Sequence, residues 1–415
     1  MDKNTIKLVV LEQRKNFEKK MEIILRNIPA GFVESKKISV ISGIRRSGKS
    51  TLLKQIAKNF SDYYYFNFED ERLLDFAAKD LNVLYEVFLE LYGEHKVFFF
   101  DEIQNVFGWE KFVRRLFEDD MKIFITGSNA KLLSSELATT LSGRHLKMEI
   151  YPFSFGEFLD YEKFPRKDFY DTKEKGVLAK NFNRYLEYGG FPEIVTGKNK
   201  KELEQLYQDI IIKDLIVRFK IRETKVFREI ALYLLSNISA PMSFNNVRAM
   251  VGVKSVTSVK NYIDFFEEAY LFFSLFKFDY SIKKQIINDR KMYVVDTGLA
   301  NEVAFRFSEN VGRNMENAVF IELKRRGRNI FYYKEKRECD FVIRSGLKIS
   351  EAIQVTQSLA NPDTAEREIQ GLLEAMEKFN LKKGLIITEN QEEERRIDGR
   401  KIQVLPAWKW LLGYD

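Results

Sequence analysis

GIRRSGKST, residues 43–51, lies between the apolar run KISVIS at 37–42 and the helix-like stretch LLKQIAKNF at 52–60. A glycine, four further residues and then Gly-Lys-Ser is the spacing of a phosphate-binding loop that joins a strand to a helix. Glycines let the backbone curl so that successive N–H groups point at one anion, and the following helix adds the positive end of its dipole. We therefore predict a nucleotide-phosphate site formed by Gly43, Ile44, Arg45, Arg46, Ser47, Gly48, Lys49, Ser50 and Thr51.

A second apolar run, KVFFFDEIQ at 96–104, ends in two adjacent acids, Asp101 and Glu102. A phosphate loop needs acidic groups nearby to hold a metal ion and to align the attacking water. Lys49 is expected to reach the β- and γ-phosphates, while Ser50 and Asp101 are expected to hold Mg²⁺. Glu102 is expected to act as the general base, so the predicted catalytic residues are Lys49, Asp101 and Glu102.

The stretch TGSN at 126–129 follows another apolar run and contains further candidates for contact with the γ-phosphate. Polar side chains at the carboxyl edge of a parallel sheet lie where ligands bind, so Ser128 and Asn129 are added to the predicted nucleotide site. Arg144 either reaches the nucleotide of a neighbouring subunit or pairs with an acid. The stretch NAKL at 129–132 lacks the acid of a guanine-specific element, so we predict ATP as the nucleotide.

Near-continuous apolar runs recur along the first 150 residues, with helix-like stretches between them. Such spacing is typical of a parallel sheet covered by helices on both faces. Residues 5–28 have an apolar period near 3.6 and predict an amphipathic helix before the first strand. The predicted strands are KISVIS at 37–42, YYYFNF at 63–68, KVFFF at 96–100, KIFIT at 122–126 and HLKMEI at 145–150.

Composition limits the classes of protein to consider. At 415 residues the chain is long enough for two or three domains, and its net charge of +7 favours an acidic partner such as nucleic acid. One cysteine and two histidines exclude an intramolecular disulfide and make a Ser-His-Asp triad improbable. Neither a signal peptide nor a membrane span is indicated, so we predict a cytoplasmic protein with no membrane partner.

Several stretches together resemble a group of AAA-type P-loop ATPases of archaea and bacteria that carry a winged helix and a restriction-endonuclease-like C-terminal domain. The resemblance covers most of the chain and implies an ATPase domain with a parallel sheet at 1–160, a helical region at 161–225, a winged helix at 226–300 and a degenerate α/β nuclease-like domain at 301–415. The stretches that carry it are GIRRSGKST, FFFDEIQ, FITGSNAKLLSSELATTLSGR, IYPFSFGEFL, YGGFPE, VKNYIDFFEEAYLF, KMYVVDTGL and ECDFVI.

The sequence around 241–272 supports the winged helix. Thr257 onward predicts a helix whose first turn exposes basic and hydroxyl side chains, as a recognition helix does. Direct DNA contact and a mere packing or oligomer contact both remain open for this segment. The candidate DNA-contacting residues are Lys254, Ser255, Ser258 and Lys260, with Lys283 and Lys284 in the candidate wing.

The nuclease fold that the last domain resembles uses two carboxylates, a further Glu and a Lys around a metal ion. Glu316 and Asp340 match the first two positions. Gln354 stands where the Glu is expected and Thr356 where the Lys is expected. We therefore predict a second metal site of Glu316, Asp340 and Gln354 with weak or absent nuclease activity, and a structural role for Cys339.

Together these observations predict a Mg²⁺-dependent ATPase that acts with DNA, with ATP and Mg²⁺ as cofactors and a homo-oligomer as a possible state. Two alternatives belong to other classes. One is a nucleotide-gated DNA-binding module without significant turnover, and the other is a metal-dependent nuclease fused to an ATPase.

Overall fold

The computed structural model describes residues 1–129, 141–167, 169–197, 199–304 and 311–414. These residues form two compact units. The N-terminal unit comprises Met1–Ile150 with Glu268–Tyr270, and the C-terminal unit comprises Tyr151–Glu267 with Leu271–Asp415.

A five-stranded sheet of order β2-β3-β4-β1-β5 forms the centre of the N-terminal unit, and all its strand pairs are parallel. Each of the five apolar runs predicted as a strand is confirmed to within one or two residues at its ends. The elements are α1 (Lys3–Glu18), β1 (Ile38–Ser42), α2 (Lys49–Ala57), β2 (Tyr64–Asn67), α3 (Asp80–Tyr92), β3 (Val97–Asp101), α4 (Trp109–Glu118), β4 (Lys122–Gly127) and β5 (His145–Glu149).

Alternate residues of the central strands enter two different cores, because successive side chains of a strand point to opposite faces. Phe98 and Phe100 pack into the core that contains Val9 of α1. Phe99 packs into the core that contains Leu52 of α2 and stacks on a phenylalanine of β4. Both faces of the sheet are therefore covered by helices, which explains why these strands are apolar throughout rather than alternating.

The first helix is shorter than its periodicity suggests. A helix was predicted over residues 5–28, but α1 ends at Glu18. The chain beyond it is held by α2 instead: the amide of Gln55 accepts from the backbone N–H of Arg26 at 2.9 Å and donates to its carbonyl at 2.8 Å. A tertiary pairing of the backbone thus replaces helical hydrogen bonds that the local pattern alone would favour.

The C-terminal unit begins with helices. Two of them start with a capping box, Ser154 with Glu157 and Asp171 with Glu174. Within the described ranges, no helix has both the length and the apolar character needed to cross a bilayer. The helices are α5 (Phe155–Tyr161), α6 (Thr172–Tyr188), α7 (Pro192–Gly197), α8 (Lys201–Asp209), which continues as a π-helical segment (Ile210–Val217), and α9 (Thr224–Ser236).

A small antiparallel sheet of order β6-β8-β7 follows, with short helices around it. Val259, Ile263 and Phe266 form the buried face of α11, as their spacing predicts. The elements are β6 (Pro241–Met242), α10 (Phe244–Val251), α11 (Val256–Glu268), β7 (Phe272–Phe276), α12 (Ile282–Ile287), β8 (Arg290–Val294) and α13 (Thr297–Val303).

The last segment forms a mixed six-stranded sheet of order β13-β14-β12-β11-β10-β9. Strands β11, β12 and β14 are parallel, and the other neighbours are antiparallel. The elements are α14 (Val311–Arg325), β9 (Asn329–Lys334), β10 (Glu338–Ser345), β11 (Lys348–Val355), α15 (Pro362–Lys378), β12 (Lys383–Thr388), β13 (Glu393–Ile397), β14 (Arg400–Pro406) and α16 (Ala407–Leu411). The chain is thus an α/β protein in both units.

Two of the short motifs meet at a buried carboxylate. Asp296, from VVDTGL, accepts from the backbone N–H of Gly190 at 2.6 Å and of Gly298 at 2.9 Å. Gly189 precedes Gly190 in YGGFPE and ends α6 with φ 77° and ψ −169°, a conformation open essentially to glycine alone. A Cβ on Gly189 would lie 1.9 Å from Oδ1 of Asp296, so this glycine is required for the close approach.

Replacing Gly189 by alanine is expected to reduce the free energy of unfolding by at least about 1–3 kcal/mol, because the backbone conformation becomes strained and the Asp296 carboxylate is displaced. Gly176 lies in the same helix, and a Cβ there would meet nothing within 4 Å. Gly176→Ala is expected to stabilise by about 0.5–1 kcal/mol. Denaturant unfolding measures the free energy of unfolding of both variants. Equal stabilities would contradict the requirement for glycine at position 189.

Candidate nucleotide-binding site

The loop after β1 is curled. The carbonyl of Ser42, the last residue of β1, accepts from the N–H of Ile150 at 2.8 Å, and a Cβ on Gly43 would lie 2.2 Å from the carbonyl oxygen of Ile150. Arg46 and Gly48 have φ values of 61° and 97°, and Gly48 is the N-cap of α2. The two glycines of the motif are therefore needed for close packing and for a left-handed turn, as the spacing predicts.

Lys49, the first residue of α2, folds its side chain back over this loop and is almost fully buried. Its Nζ lies 3.3 Å from the carbonyl oxygens of both Gly43 and Ile44. It also lies 3.0 Å from Oε1 of Glu102. The ammonium group is thus held at the loop by two carbonyls and one carboxylate.

Asp101 ends β3 and is completely buried. Its Oδ1 accepts from the hydroxyl of Thr126, its Oδ2 accepts from the hydroxyl of Tyr65 at 3.3 Å, and Ser50 of α2 also hydrogen-bonds to it. Burial raises the pKa of Asp101, and the charge of Glu102 adds to that rise although the hydroxyl contacts oppose it. A cation beside Asp101 would stabilise its charged form.

Glu102 has a left-handed backbone, with φ 50° and ψ 43°. Its N–H donates to Oγ1 of Thr126 at 2.9 Å, and its Oε2 accepts from the amide of Gln104. Burial alone would raise the pKa of Glu102, but the charge of Lys49 and the hydrogen bonds from Gln104 and Lys49 hold that pKa below its usual value. The carboxylate is therefore ionised at neutral pH, as a general base must be.

Thr126, at the end of β4, links Asp101 and Glu102. Its hydroxyl accepts from the backbone N–H of Glu102 and donates to Oδ1 of Asp101. Gln104 extends the network by donating to Oγ of Ser128 at 3.3 Å. Ser128 and Asn129 are both buried beside this edge of the sheet. Gln104 was missed by the sequence reasoning, and its only local signal is its place two residues after Glu102.

Two arginines, Arg45 within the loop and Arg26 before it in the chain, also make contacts around the loop. The guanidinium of Arg45 pairs with Glu69 at 2.6 Å. Arg26 donates to the carbonyl of Ser47 at 2.6 Å, although it lies 21 residues before it in the chain. Arg26 was also missed by the sequence reasoning, because the pattern around it predicts only a helix.

Arg144 lies at the other end of the sheet. It immediately precedes β5, and its carbonyl accepts from the N–H of Ile38, the first residue of β1, whereas the phosphate loop follows the last residue, Ser42. Its guanidinium pairs with Glu118 at 3.1 Å. Arg144 therefore takes no part in the phosphate site of its own chain, and a role at a neighbouring subunit stays a prediction.

The residues at the loop fit a nucleotide phosphate with a hard cation. The hydroxyl of Ser47 is buried and has no hydrogen-bond partner among the residues that the structure describes. Lys49 supplies a cation for phosphate oxygens, while Ser50 and Asp101 supply the oxygen ligands that Mg²⁺ prefers. In the unaltered chain, no group of three or more His, Cys, Asp or Glu among the described residues could hold a metal ion.

Comparison with known proteins agrees with this geometry. Residues 35–159 match an AAA domain, and residues 179–310 and 311–410 match two domains of unknown function. An uncharacterized protein of Methanocaldococcus jannaschii, MJ1544, is 42% identical over 438 residues, covering 100% of this chain and 97% of the relative. The chain belongs to this family of AAA-type P-loop ATPases. An uncharacterized Haemophilus influenzae protein is 33% identical over 404 residues, covering 92% of the chain and 96% of that relative.

Solved structures are more remote from this AAA-type ATPase. A signal transduction ATPase with numerous domains from Pyrococcus horikoshii has 13% identity and a TM-score of 0.28, with 74% of this chain and 46% of that chain covered. Cdc6p of Pyrobaculum aerophilum has 9% identity and a TM-score of 0.26, with 66% and 91% covered. Residues 130–140, part of one stretch that carries the family resemblance, lie outside the described residues.

The second metal site predicted for this ATPase has a different composition. Glu316 and Asp340 come together, but a lysine, Lys291 of β8, lies between them. Gln354 uses its amide on other protein groups, accepting from the N–H of Asp340 at 3.1 Å and donating to Glu368. Lys291 was missed by the sequence reasoning because it lies far from its partners in the chain.

Two variants of Thr126 test how the acids are positioned. Thr126→Val removes the hydroxyl and leaves a buried carboxylate oxygen and a buried N–H without their partner, at a cost of about 1–3 kcal/mol for each group. Thr126→Ser keeps the hydroxyl and is expected to stay close to the parent. Denaturant unfolding measures both, and a valine variant as stable as the serine variant would show that the bridge contributes nothing.

Proposed function

We propose that the chain is a Mg²⁺-dependent ATPase in which residues 43–51 bind the phosphates of ATP. The observation that carries the proposal is the contact of Lys49 with both the loop carbonyls and Glu102, next to the buried Asp101. This arrangement supports the proposal, because Lys49 can serve as the cation, Asp101 as a metal-ligand carboxylate and Glu102 as an ionised base at one edge of a parallel sheet. Hydrolysis of ATP needs all three, because positioning and charge stabilisation supply nearly all of the catalysis.

Each residue has a distinct task in this proposal. When ATP binds, the ammonium group of Lys49 leaves Glu102 and contacts phosphate oxygens. The carboxylate of Glu102 is then free to contact the attacking water. Glu102, which is ionised while it contacts Lys49, then accepts a proton from the attacking water. Ser50 and Asp101 hold Mg²⁺, which when bound neutralises negative charge on the phosphates. Thr126 and Gln104 keep the two acids in place through the hydrogen bonds that they make.

A gated binding module without turnover is the alternative for this site. Such a module would need the loop and Lys49 but would have no use for a general base. Glu102 is buried and ionised, its Oε1 lies 3.0 Å from Nζ of Lys49, and its backbone is left-handed. Residues held in sparsely populated backbone conformations are concentrated at active sites. The placement of Glu102 therefore supports turnover over gating alone.

We further propose that the middle of the C-terminal unit is a winged helix that contacts DNA. The element order α9, β6, α10, α11, β7, α12, β8 with an antiparallel three-stranded sheet supports the winged helix. Lys254 and Ser255 are exposed just before α11, Lys260 is exposed and Ser258 is half-buried within it. Lys283 and Lys284 are exposed between β7 and β8. These lysines can neutralise DNA phosphates, which is the sequence-independent part of DNA binding.

Two variants separate binding from turnover. Lys49→Ala is expected to weaken binding of an ATP analogue at least about tenfold, since charge-assisted contacts to phosphate are lost. Glu102→Gln is expected to bind ATP but to turn over about 10²–10⁴-fold more slowly. Lys58→Ala, an exposed lysine just after the same helix, is the matched control.

Binding is measured by titration with a fluorescent ATP analogue, and turnover is measured as release of phosphate from ATP. Each measurement is made with Mg²⁺ and again with a chelator that removes it. If Lys49→Ala bound and hydrolysed ATP like the parent, the ATPase site would be wrong. If Glu102→Gln alone kept full turnover, only the general-base role would be wrong.

Replacing both Lys254 and Lys260 by alanine is expected to weaken duplex DNA binding and to reduce the slope of log affinity against log salt by about 1.8, because two phosphate contacts are removed. Exposed Lys173 and Lys180 of α6 provide the matched double variant, which removes the same charge elsewhere. Fluorescence anisotropy at several salt concentrations measures both. Identical slopes for the two double variants would contradict DNA contact by α11.

A further inference from the structure

Lys291 of β8 is a buried cation surrounded by acids. Its side chain is 2% exposed, and its Nζ lies 3.0 Å from Oε1 of Glu316, 2.8 Å from Oε1 of Glu338 and 2.9 Å from Oδ1 of Asp340. An ammonium group has three N–H donors and no acceptor. Lys291 thus hydrogen-bonds to Glu316 and Asp340 and forms an ion pair with Glu338.

Other groups of the chain also contact the same carboxylates. The hydroxyl of Tyr293 donates to Oε1 of Glu316 at 2.7 Å, the oxygen that Lys291 also contacts. The other oxygen of Asp340 accepts from the N–H of Val355 at 3.0 Å. The other oxygen of Glu338 pairs with Lys334 at 3.1 Å. Each of the three acids thus has a second partner within the chain besides Lys291.

The residue predicted as the third metal ligand is engaged elsewhere. The amide oxygen of Gln354 accepts from the N–H of Asp340 at 3.1 Å, and its nitrogen donates to Glu368. Turning this amide toward a metal ion would break both contacts inside a buried site, and an unmade buried hydrogen bond is costly. The residues present therefore do not fit the metal site that the nuclease-like fold implies.

We propose that Lys291 is an internal cation that takes the place of a divalent metal ion in the C-terminal domain. The ammonium contacts one oxygen of each of the three acids, so a divalent ion bound to those oxygens would meet a like charge in a buried site. The lysine missing at Thr356 is thus supplied by another strand, where its single positive charge offsets part of the negative charge of the three acids. The nuclease alternative is disfavoured because it requires a metal ion at these carboxylates.

The position of Lys291 among the three acids also has a structural consequence within the C-terminal unit. Lys291 belongs to the region matched at 179–310, whereas all three acids belong to the region matched at 311–410. A backbone contact lies beside them, since the N–H of Phe278 donates to the carbonyl of Tyr332 at 2.7 Å. The ion cluster therefore joins β8 to α14 and β10 and ties the two regions together.

The test uses the full chain without nucleotide, carrying Ser50→Ala so that the phosphate loop lacks its metal-ligand hydroxyl. Mn²⁺ is the probe, followed by electron paramagnetic resonance and by thermal unfolding. This background is expected to bind no Mn²⁺ at the C-terminal acids up to about 1 mM. Adding Lys291→Met is expected to lower the melting temperature by roughly 5 °C or more, because the buried Asp340 and the partly buried Glu316 and Glu338 lose their cation.

The same variant is expected to bind Mn²⁺ and to recover part of the lost melting temperature, and a further Asp340→Asn change is expected to abolish both effects. The proposal is overturned if the Ser50→Ala background binds Mn²⁺ and loses it on Asp340→Asn. It is also overturned if a folded Lys291→Met variant gains no Mn²⁺ binding. Should Lys291→Met not fold, the comparison of the background with its Asp340→Asn variant decides.

Discussion

The parallel pairing of β1, β3 and β4 is the constraint on which the nucleotide site depends. Ser42 lies beside Gly127, and Phe100 lies beside Ile125, so three strands end at one edge. The phosphate loop, the two acids and the hydroxyl of Thr126 follow from those ends. None of these groups has to be brought there by a long flexible connection. Their positions are fixed by a sheet whose faces are both buried, and close-packed interiors hold such positions rigidly.

Much of this unit could be predicted from the sequence. Runs rich in apolar residues predicted each of the five strands, and the loop spacing predicted the curled loop between β1 and α2, because both signals are local. The end of α1 could not be predicted, since the backbone of Arg26 pairs with Gln55 through tertiary contacts. The same limit applies to Gln104 and Arg26, whose roles depend on which groups the fold places beside them.

In the C-terminal unit the local sequence patterns predicted helices and strands better than they predicted which side chains contact one another. The resemblance to the nuclease fold grouped Gln354 with Asp340, and the two do lie together, but it gave no sign that the amide of Gln354 donates to Glu368. Lys291 lies 25 and 49 residues from Glu316 and Asp340, in the strand RKMYV directly after Arg290. An Arg-Lys pair at the start of a strand has no motif that points to a buried ion cluster, so only the assembled fold reveals the partners of Lys291. By contrast, YGGFPE and VVDTGL were visible as motifs, and the fold shows that they meet at Asp296.

Because Glu102 contacts Lys49, the carboxylate of Glu102 competes with any anion that binds the ammonium group of Lys49. An anion that approaches Lys49 displaces a carboxylate already held at 3.0 Å, together with two carbonyl contacts. A small monovalent anion offers about the same charge as that carboxylate and gains little from the exchange. A polyphosphate offers more charge and more oxygens, and it can engage the loop N–H groups at the same time. On this chemistry, the occupied Lys49 would favour a polyphosphate over a small monovalent anion such as chloride.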